Sequence, residues 1–462
     1  MEHEELPLTS PEHVLATLNP DGTRRWLAPR LAKGHFWKRR RILAYFLILL
    51  FNVLPWIQLA GKPAMFLDIV HRQFTFFGVT FQPTETVLVT TLFLSIFVSV
   101  FLATALFGRV WCGWACPQTV YLEFLYRPIE RLAEGKWHSK GRDAIPPLRK
   151  FLKYALFLVV SVHLSHTFLA YFVGAKTVMQ WSIHNPGDHF AGFVVVWGVA
   201  LAMMFDFAVF REQMCTLACP YGRLQSALLD PNSIVIGYDA KRGEPRGKGK
   251  RGIEKTAALG DCVECKLCVA VCPTGIDIRD GLQMECVNCA ECIDACDSVM
   301  ERIGAPKGLI RYASENELAG KPRKRVRVRT VLYSVILTAL LVAFVSLLST
   351  RKDTLVDVLR IRNVPYMVLG DGSISNPVKL RIENRKEADR TYTIRMIDER
   401  FSTNPKVITK EVDSLGKAEV TFTVMAPQSV FSEGRTALEM IITDGAGLET
   451  HVERILLGPR KP

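Results

Sequence analysis

A chain of 462 residues exceeds one ordinary domain, and 49 % hydrophobic residues with a mean hydropathy of +0.16 exclude a purely soluble enzyme. The net charge of +13 is local: residues 1–41, 108–150 and 211–330 hold +11 of it. A surplus confined to such segments fits a membrane protein with basic inside loops and speaks against a nucleic-acid partner. All 12 cysteines fall between Cys112 and Cys296, in tight groups, which excludes a disulfide scaffold and favours metal chemistry.

In chain order, a polar segment (1–41) ends in Arg39, Arg40 and Arg41 and leads into the first of five apolar runs, at about 42–60, 87–107, 151–173, 190–210 and 331–348. Each approaches the roughly 20 residues that a hydrocarbon core requires. The polar stretch before the first run is too long for the n-region of a cleavable signal, so that run is expected to stay as an anchor. Residues 63–81 are apolar but interrupted by Asp68, His71, Arg72 and Gln73, which reads as an interfacial or partly re-entrant piece. Basic clusters precede the first, third (Arg149, Lys150, Lys153) and fifth (Arg323, Lys324, Arg325, Arg327, Arg329) runs, so the N-terminus and the cysteine-rich segment are expected in the cytoplasm. Five crossings then export the C-terminus.

The expected organisation is a cytoplasmic N-terminal segment (1–41) and a four-helix membrane domain (42–210) with a Cys-x3-Cys-Pro element in its 108–150 loop. A cytoplasmic segment (211–330) follows, with a second such element and a two-cluster ferredoxin domain at about 255–305, then a fifth transmembrane helix (331–349) and a periplasmic domain (350–462). That last domain shows period-two alternation in residues 378–383, 391–396, 419–424, 437–442 and 451–456, the mark of a β-sandwich of immunoglobulin-like architecture, without the Cys, Trp and Cys pattern of antibody domains.

Cys112-Gly-Trp-Ala-Cys116-Pro117 follows the second run and Cys215-Thr-Leu-Ala-Cys219-Pro220 the fourth, at an offset of 103 that also superposes Phe107 on Phe210 and Ala115 on Ala218. The repeat suggests a duplicated hairpin that brings four sulfurs to one membrane-edge site. Each proline suits the first turn of a helix, so Cys116 and Cys219 sit near helix N-termini, where the dipole favours thiolate, and Arg109, Arg211 and Arg223 are expected to act in the same direction. His163 and His166 share one face of the third run, and Met203, Met204 and Asp206 lie in the fourth; satisfied polar groups and packing are the ordinary reading, metal passage or proton handling the alternative. The Gly-rich basic run 241–252 reads as a mobile inside loop.

The most specific signal is Cys262-x2-Cys265-x2-Cys268-x3-Cys272-Pro273, repeated 24 residues on as Cys286-x2-Cys289-x2-Cys292-x3-Cys296. Three cysteines at x2 intervals wrap one cubane cluster, and the fourth is carried by a short helix to the other cluster. The spacing assigns Cys262, Cys265, Cys268 and Cys296 to one 4Fe-4S cluster and Cys286, Cys289, Cys292 and Cys272 to a second; structural zinc is the weaker alternative. Asp297 stands where a proline is usual, so altered surroundings are expected for the first cluster, with binding intact.

These motifs and the sandwich together resemble the cytochrome c oxidase accessory protein family CcoG/FixG/RdxA over nearly the full length. The resemblance implies a bacterial inner-membrane Cu(II) reductase that supplies Cu(I) for assembly of a cbb-type oxidase, with copper as substrate at Cys112, Cys116, Cys215 and Cys219. It also implies partners among the oxidase-assembly and copper-transport proteins, a bilayer environment and an unidentified electron donor, with homo-oligomerisation left open. Thiolates suit Cu(I) better than Cu(II), so such a site favours the reduced product. A quinol-linked electron-transfer subunit is the alternative, although related quinol dehydrogenase subunits of nitrate respiration lack the exported sandwich. A non-catalytic copper-holding scaffold is the third reading and has no use for two quartets.

Overall fold

The computed structural model describes residues 16–19, 23–59, 61–135, 144–247, 259–324, 326–359, 361, 365–431 and 433–459, so Arg325 and residues 248–252 of the basic run 241–252 lie outside the described residues. The start of that run is not the mobile loop expected: Lys241 to Gly243 are helical and Arg242 pairs with Asp261 at 2.6 Å. The chain forms two compact units, Met1–Phe344 and Val345–Pro462.

In the first unit, helix α1 (His35–Val53) departs from the expected 42–60. It begins before the arginines, so Lys38 to Arg41 are helical, and it ends in a 3-10 turn, Leu54–Trp56, where Pro55 has no N–H to continue the ladder. Helix α2 (Thr86–Phe107) follows the second run. Short helices α3 (Val110–Trp114), α4 (Pro117–Tyr121) and α5 (Arg127–Glu134) carry the loop beyond it, α4 and α5 being joined by a π-turn, Leu122–Tyr126. Helix α6 (Pro147–Val173) is followed by α7 (Ala175–Ile183) and α8 (Phe190–Phe205), which a π-turn prolongs to Phe210. Among the described residues four helices are long and apolar enough to cross a membrane: α2, α6, α8 with its extension, and one at Val328–Ser349. At 1.5 Å per residue they run roughly 30–40 Å, against roughly 30 Å of hydrocarbon.

α1 lies along α6. Tyr171 donates to the Phe51 carbonyl at 2.8 Å and their rings stack at 5.3 Å, while His163 Nε2 is 2.8 Å from Asn52 Oδ1. His166 Nδ1 lies 2.8 Å from the Val162 carbonyl, so the helix layer itself answers the polarity of both histidines. Residues 58–81, which contain the stretch 63–81 expected as an interfacial or partly re-entrant piece, are regular β-structure. They form a hairpin, β1 (Gln58–Leu59) and β2 (Lys62–Pro63), and an antiparallel meander, β3 (Met65–Asp68), β4 (Gln73–Phe76) and β5 (Val79–Phe81). The polar interruption is turn chemistry: Asp68 accepts from His71 N at 2.9 Å, and Phe77 and Gly78, at φ 48° and 83°, make a tight turn with both central residues at positive φ.

After α9 (Pro220–Ala227) the chain builds the cysteine-rich region. A two-stranded sheet of β6 (Val235–Tyr238) and β7 (Ile310–Ala313) backs it, with α10 (Ala240–Gly243), α11 (Leu267–Ala270), α12 (Glu291–Arg302) and α13 (Glu315–Leu318) around it, and α14 (Val328–Ser349) follows.

The second unit is a two-sheet antiparallel sandwich. One sheet orders β12 (Ser402–Asn404), β14 (Lys417–Pro427), β10 (Ser373–Asn384) and β8 (Thr354–Leu359), with β9 (Met367–Val368) also paired to β10. The other orders β13 (Ile408–Val412), β11 (Arg390–Met396), β15 (Arg435–Asp444) and β16 (Glu449–Leu457). All five alternating runs read from the sequence fall on these strands, and alternate residues such as Val378, Leu380 and Ile382 facing Leu438, Met440 and Ile442 fill the core.

Candidate iron-sulfur and thiol centre

Each ferredoxin-type loop is bent by the same pair of positions. Glu264 and Lys266 flank Cys265 at φ 54°, and Asn288 and Ala290 flank Cys289 at φ 56° and 65°. Left-handed residues on both sides of the middle cysteine curl the backbone round a hollow, a conformation that costs non-glycine residues energy and persists at functional sites. Cys262, Cys265, Cys268 and Cys296 line one cavity of about 350 Å³, with Tyr238 and Arg279 on its wall. Cys272, Cys286, Cys289 and Cys292 line a second of about 330 Å³, which Cys268 also borders. The fourth cysteine of each run is thus carried, by α11 or α12, to the cavity of the other run.

The walls are apolar, so burial pushes Cys268 and Cys296 up to about 12 and Cys286 to about 11, and raises Cys289 and Cys292 well above the ordinary thiol range. Thiols this reluctant to ionise in isolation become thiolates when iron takes the protons' place, so filling the cavities releases protons. Asp297 accepts from Gly308 N at 2.9 Å, so it anchors the return loop beside the first cavity where a proline would have shaped the backbone.

The membrane-edge thiols come together from two elements. Cys112 lies on α3 and Cys116 caps α4, with Pro117 at its first position. Cys215 lies in a π-turn, Met214–Ala218, and Cys219 directly precedes Pro220 of α9. Burial pushes Cys215 up to about 12, and Cys116, Cys112 and Cys219 each add to that rise, so all three lie within electrostatic reach of Cys215, and Cys112 and Cys215 pack in one cluster. The expected helix-terminus effect is present but outweighed: burial raises Cys116 although the N–H groups of Gln118 and Thr119 oppose it, and burial raises Cys112 against Arg109. Of the other two expected arginines, Arg211 binds Glu130 with both Nη atoms, at 2.9 and 3.0 Å, and Arg223 is exposed on α9. Arg211 belongs to a buried ion network in which Lys153 bridges Glu130 and Glu134, and Arg127 meets Glu123 and Glu212. Burial disfavours charge on Glu130, yet Arg211, Lys153 and Arg127 prevail and hold it at about 2.

Among the described residues no three His, Cys, Asp or Glu side chains converge tightly enough for a single metal ion.

The thiol site and the second quartet touch. Cys112 packs against Val287 and Cys289, and a Cβ at Gly113 would lie 2.5 Å from the Val287 carbonyl and 2.8 Å from the Cys289 nitrogen. Only glycine permits this backbone approach. On its other side Cys112 donates to Gln225 Oε1 at 2.8 Å, and Gln225 Nε2 reaches Tyr221 OH at 2.6 Å and Thr104 Oγ1 at 3.2 Å. These three polar groups border a cleft of about 690 Å³ whose walls include Leu43, Phe107 and Trp111. Gly113 and Gln225 escaped the sequence reading. The small residue inside Cys-x3-Cys was the available signal for the first, and nothing local marks the second.

Three domain families match the chain: a 4Fe-4S binding domain over residues 89–140, a 4Fe-4S dicluster domain over 210–315, and the Ig-like fold at the C-terminus of FixG over 344–459. The chain is 36 % identical to protein RdxA of Cereibacter sphaeroides, with 79 % of this chain and 81 % of the relative covered. It is 34 % identical to RdxB of the same organism (85 % and 86 % covered) and 31 % identical to the nitrogen fixation protein FixG of Rhizobium meliloti (93 % and 92 %).

Two outcomes follow. Iron analysis of anaerobically purified protein is expected to give about eight irons and eight sulfides per chain for two cubanes, and about twelve if the membrane-edge thiols hold a third; stoichiometric zinc would refute both. Gly113→Ala is expected to cost about 1–3 kcal/mol through overpacking, seen as a lowered melting temperature in detergent, whereas Gly198→Ala, with no atom within 4 Å of the added carbon, leaves it unchanged.

Proposed function

The chain belongs to the FixG/RdxA family of iron-sulfur electron-transfer membrane proteins, and from that premise we propose that it reduces Cu(II) to Cu(I) at Cys112, Cys116, Cys215 and Cys219 for assembly of a cbb-type cytochrome oxidase. The observation that supports this reading is the packing of Cys112 and Cys215 with Cys289 of the second ferredoxin-type quartet, with Cys116 and Cys219 in electrostatic reach of Cys215. The two quartets, each lining a cavity with four cysteines, would hold 4Fe-4S clusters, which supply one-electron carriers when bound. The thiols' task is to bind copper and favour its reduced state, because Cu(I) prefers soft sulfur whereas Cu(II) prefers nitrogen, oxygen and tetragonal geometry. Gly113 keeps the two sites in van der Waals contact. Copper-transport proteins that deliver or receive the ion, and oxidase-assembly proteins, are the partners this chemistry calls for.

The proposed setting is a bacterial inner membrane with the N-terminus and cysteines in the cytoplasm and the sandwich in the periplasm. Two observations support a fifth crossing by α1. Its N-terminus is bound by Asp294 of α12, which accepts from Phe36 N and Trp37 N at 3.1 and 2.7 Å, while its other end stacks on Tyr171 near the far end of α6. From His35 through Trp56 it runs roughly 33 Å at the helical rise, and its basic residues at the start fit the inside face. A reporter that is active only after export, fused at the C-terminus, is expected to be active; activity of a cytoplasm-only reporter there would refute the topology.

The quinol-linked alternative gains one observation. The cleft beside Gln225 sits at the end of α2, has apolar and aromatic walls with three polar groups, and adjoins Cys112, which are the attributes of a site for a lipophilic ring.

Cys116→Ser and Cys219→Ser separate the readings. Both variants are expected to keep full iron content, since neither residue lines a quartet cavity, while the Cu(I) yield from dithionite-reduced protein, trapped by a chelator, falls about tenfold or more, equivalent to about 1.4 kcal/mol of barrier. Serine offers copper a hard hydroxyl in place of a thiolate. Undiminished Cu(I) in both variants would remove the membrane-edge site from copper reduction and put the quinol-linked reading ahead.

A further inference from the structure

The three arginines that open the first apolar run are not alike. Arg39 and Arg41 are exposed, as topological charges should be, whereas Arg40 is fully buried. A buried guanidinium must have its charge and donors answered. Arg40 Nε donates to the Gly113 carbonyl at 2.8 Å, Nη1 binds Glu291 Oε1 at 2.6 Å, and the guanidinium lies 5.4 Å from the Phe124 ring. Gly113 follows Cys112 of the thiol site, and Glu291 lies between Cys289 and Cys292 of the second quartet. One side chain therefore grips both redox elements at their contact.

Two further facts bear on what it does there. Arg40 Nη2 is buried with no hydrogen-bond partner among the described residues, which leaves a charged donor to spare at this spot. The two partners of Arg40 both border Cys289: Glu291 is two residues on, and a Cβ on Gly113 would lie 2.8 Å from the Cys289 nitrogen. The positive charge thus sits beside the quartet as well as beside its carboxylate partner. Net charge and hydrogen bonds to sulfur are the levers by which a protein sets a cluster's potential.

We infer that Arg40 is a redox-positioning residue: it clamps the Cys112 element onto the second quartet and biases the cluster held by Cys272, Cys286, Cys289 and Cys292 toward its reduced state, with Glu291 as the opposing charge. The inference rests on the quartets holding clusters. It makes Arg40 and Glu291 a pair whose removal one at a time moves one potential in opposite directions.

The test is a redox titration, followed by electron paramagnetic resonance, of the full-length protein purified anaerobically in detergent. Arg40→Gln is expected to lower the midpoint potential of one cluster, and Glu291→Gln to raise it, while the second cluster stays at its wild-type value in both. Arg40→Lys keeps the charge but loses the two-sided grip, so it is expected to hold the potential near wild type while slowing reoxidation of the reduced protein by Cu(II). A residue that served only the fold would not give shifts of opposite sign confined to one cluster. Unmoved potentials in both neutral variants, shifts of the same sign, or equal shifts of both clusters would overturn the inference. Should Arg40→Gln lose iron, Glu291→Gln decides alone, and an unchanged or lowered potential there overturns it. Iron content of the wild type separates this from the cluster reading: wild-type protein without iron sinks that reading, whereas full iron with unmoved potentials sinks only the role of Arg40.

Discussion

The architecture turns on one close approach, that of the Gly113 backbone to the loop Val287-Asn288-Cys289. Two polypeptide backbones meet there at a distance that no Cβ tolerates, and the contact sets Cys112 directly against Cys289. Arg40 bridges the two elements at this contact, and the surrounding structure holds each of them in place. The β6–β7 sheet backs the ferredoxin-like region, Asn288 reaches Ile236 N and Tyr312 at 3.4 and 2.8 Å through its side-chain and main-chain oxygens, and the N-terminus of α1 docks on Asp294. What the membrane helices contribute is a rigid platform for α3.

That platform is held by buried charge. Glu123, Arg127, Glu130, Lys153, Arg211 and Glu212 are nearly inaccessible, and each has an ionic partner. Burying ions is costly, and a buried pair is often no more stable than an apolar one, but breaking such a pair is strongly destabilising and the directional demands are strict. A network of this kind fixes geometry more than it adds stability. At a membrane edge, where two thiol-bearing turns must meet within contact distance, fixed geometry is the property required.

The sequence was most informative where chemistry is written in local spacing. The x2, x2, x3 quartets map onto two cavities because the loop curvature they need is built within seven residues, and the alternating runs of the tail map onto strands because strand register is a local pattern. The offset of 103 pointed to the convergence of the two cysteine pairs. Long-range partnership was not legible. Nothing near Arg40 distinguishes it from Arg39 or Arg41, and its burial is decided by Gly113 and Glu291, which lie far along the chain. The strands within residues 63–81 were not foreseen, because an apolar run broken by Asp and Arg shows its turns only once Asp68 and Phe77-Gly78 are seen to make them. Arg211 was assigned to the thiols by proximity in sequence, whereas its positive φ turns it toward Glu130.

The duplication itself explains that turn. At the offset of 103, Arg211 stands where the first copy has Gly108, and the two residues share a backbone conformation, φ 61° and ψ −134° for Gly108 against φ 54° and ψ −122° for Arg211. This region suits glycine, and a residue with a Cβ adopts it at a cost of about 1–3 kcal/mol unless its surroundings compel it. The second copy has the same turn but fills it with a cation that two buried carboxylates retain. The next pair diverges by charge: Arg109 in the first copy lies beside Cys112 and Cys215, while Glu212 in the second joins Arg24 and Arg127. The two halves have therefore divided the work. The first copy gives its glycines to close approach, at Gly108 against Ile234 and at Gly113 against Cys289, and its arginine to the thiols. The second gives the positions equivalent to Gly108 and Arg109 to the ion network that holds the platform still, as Arg211 and Glu212, so the two copies repeat the cysteines and differ in what positions them.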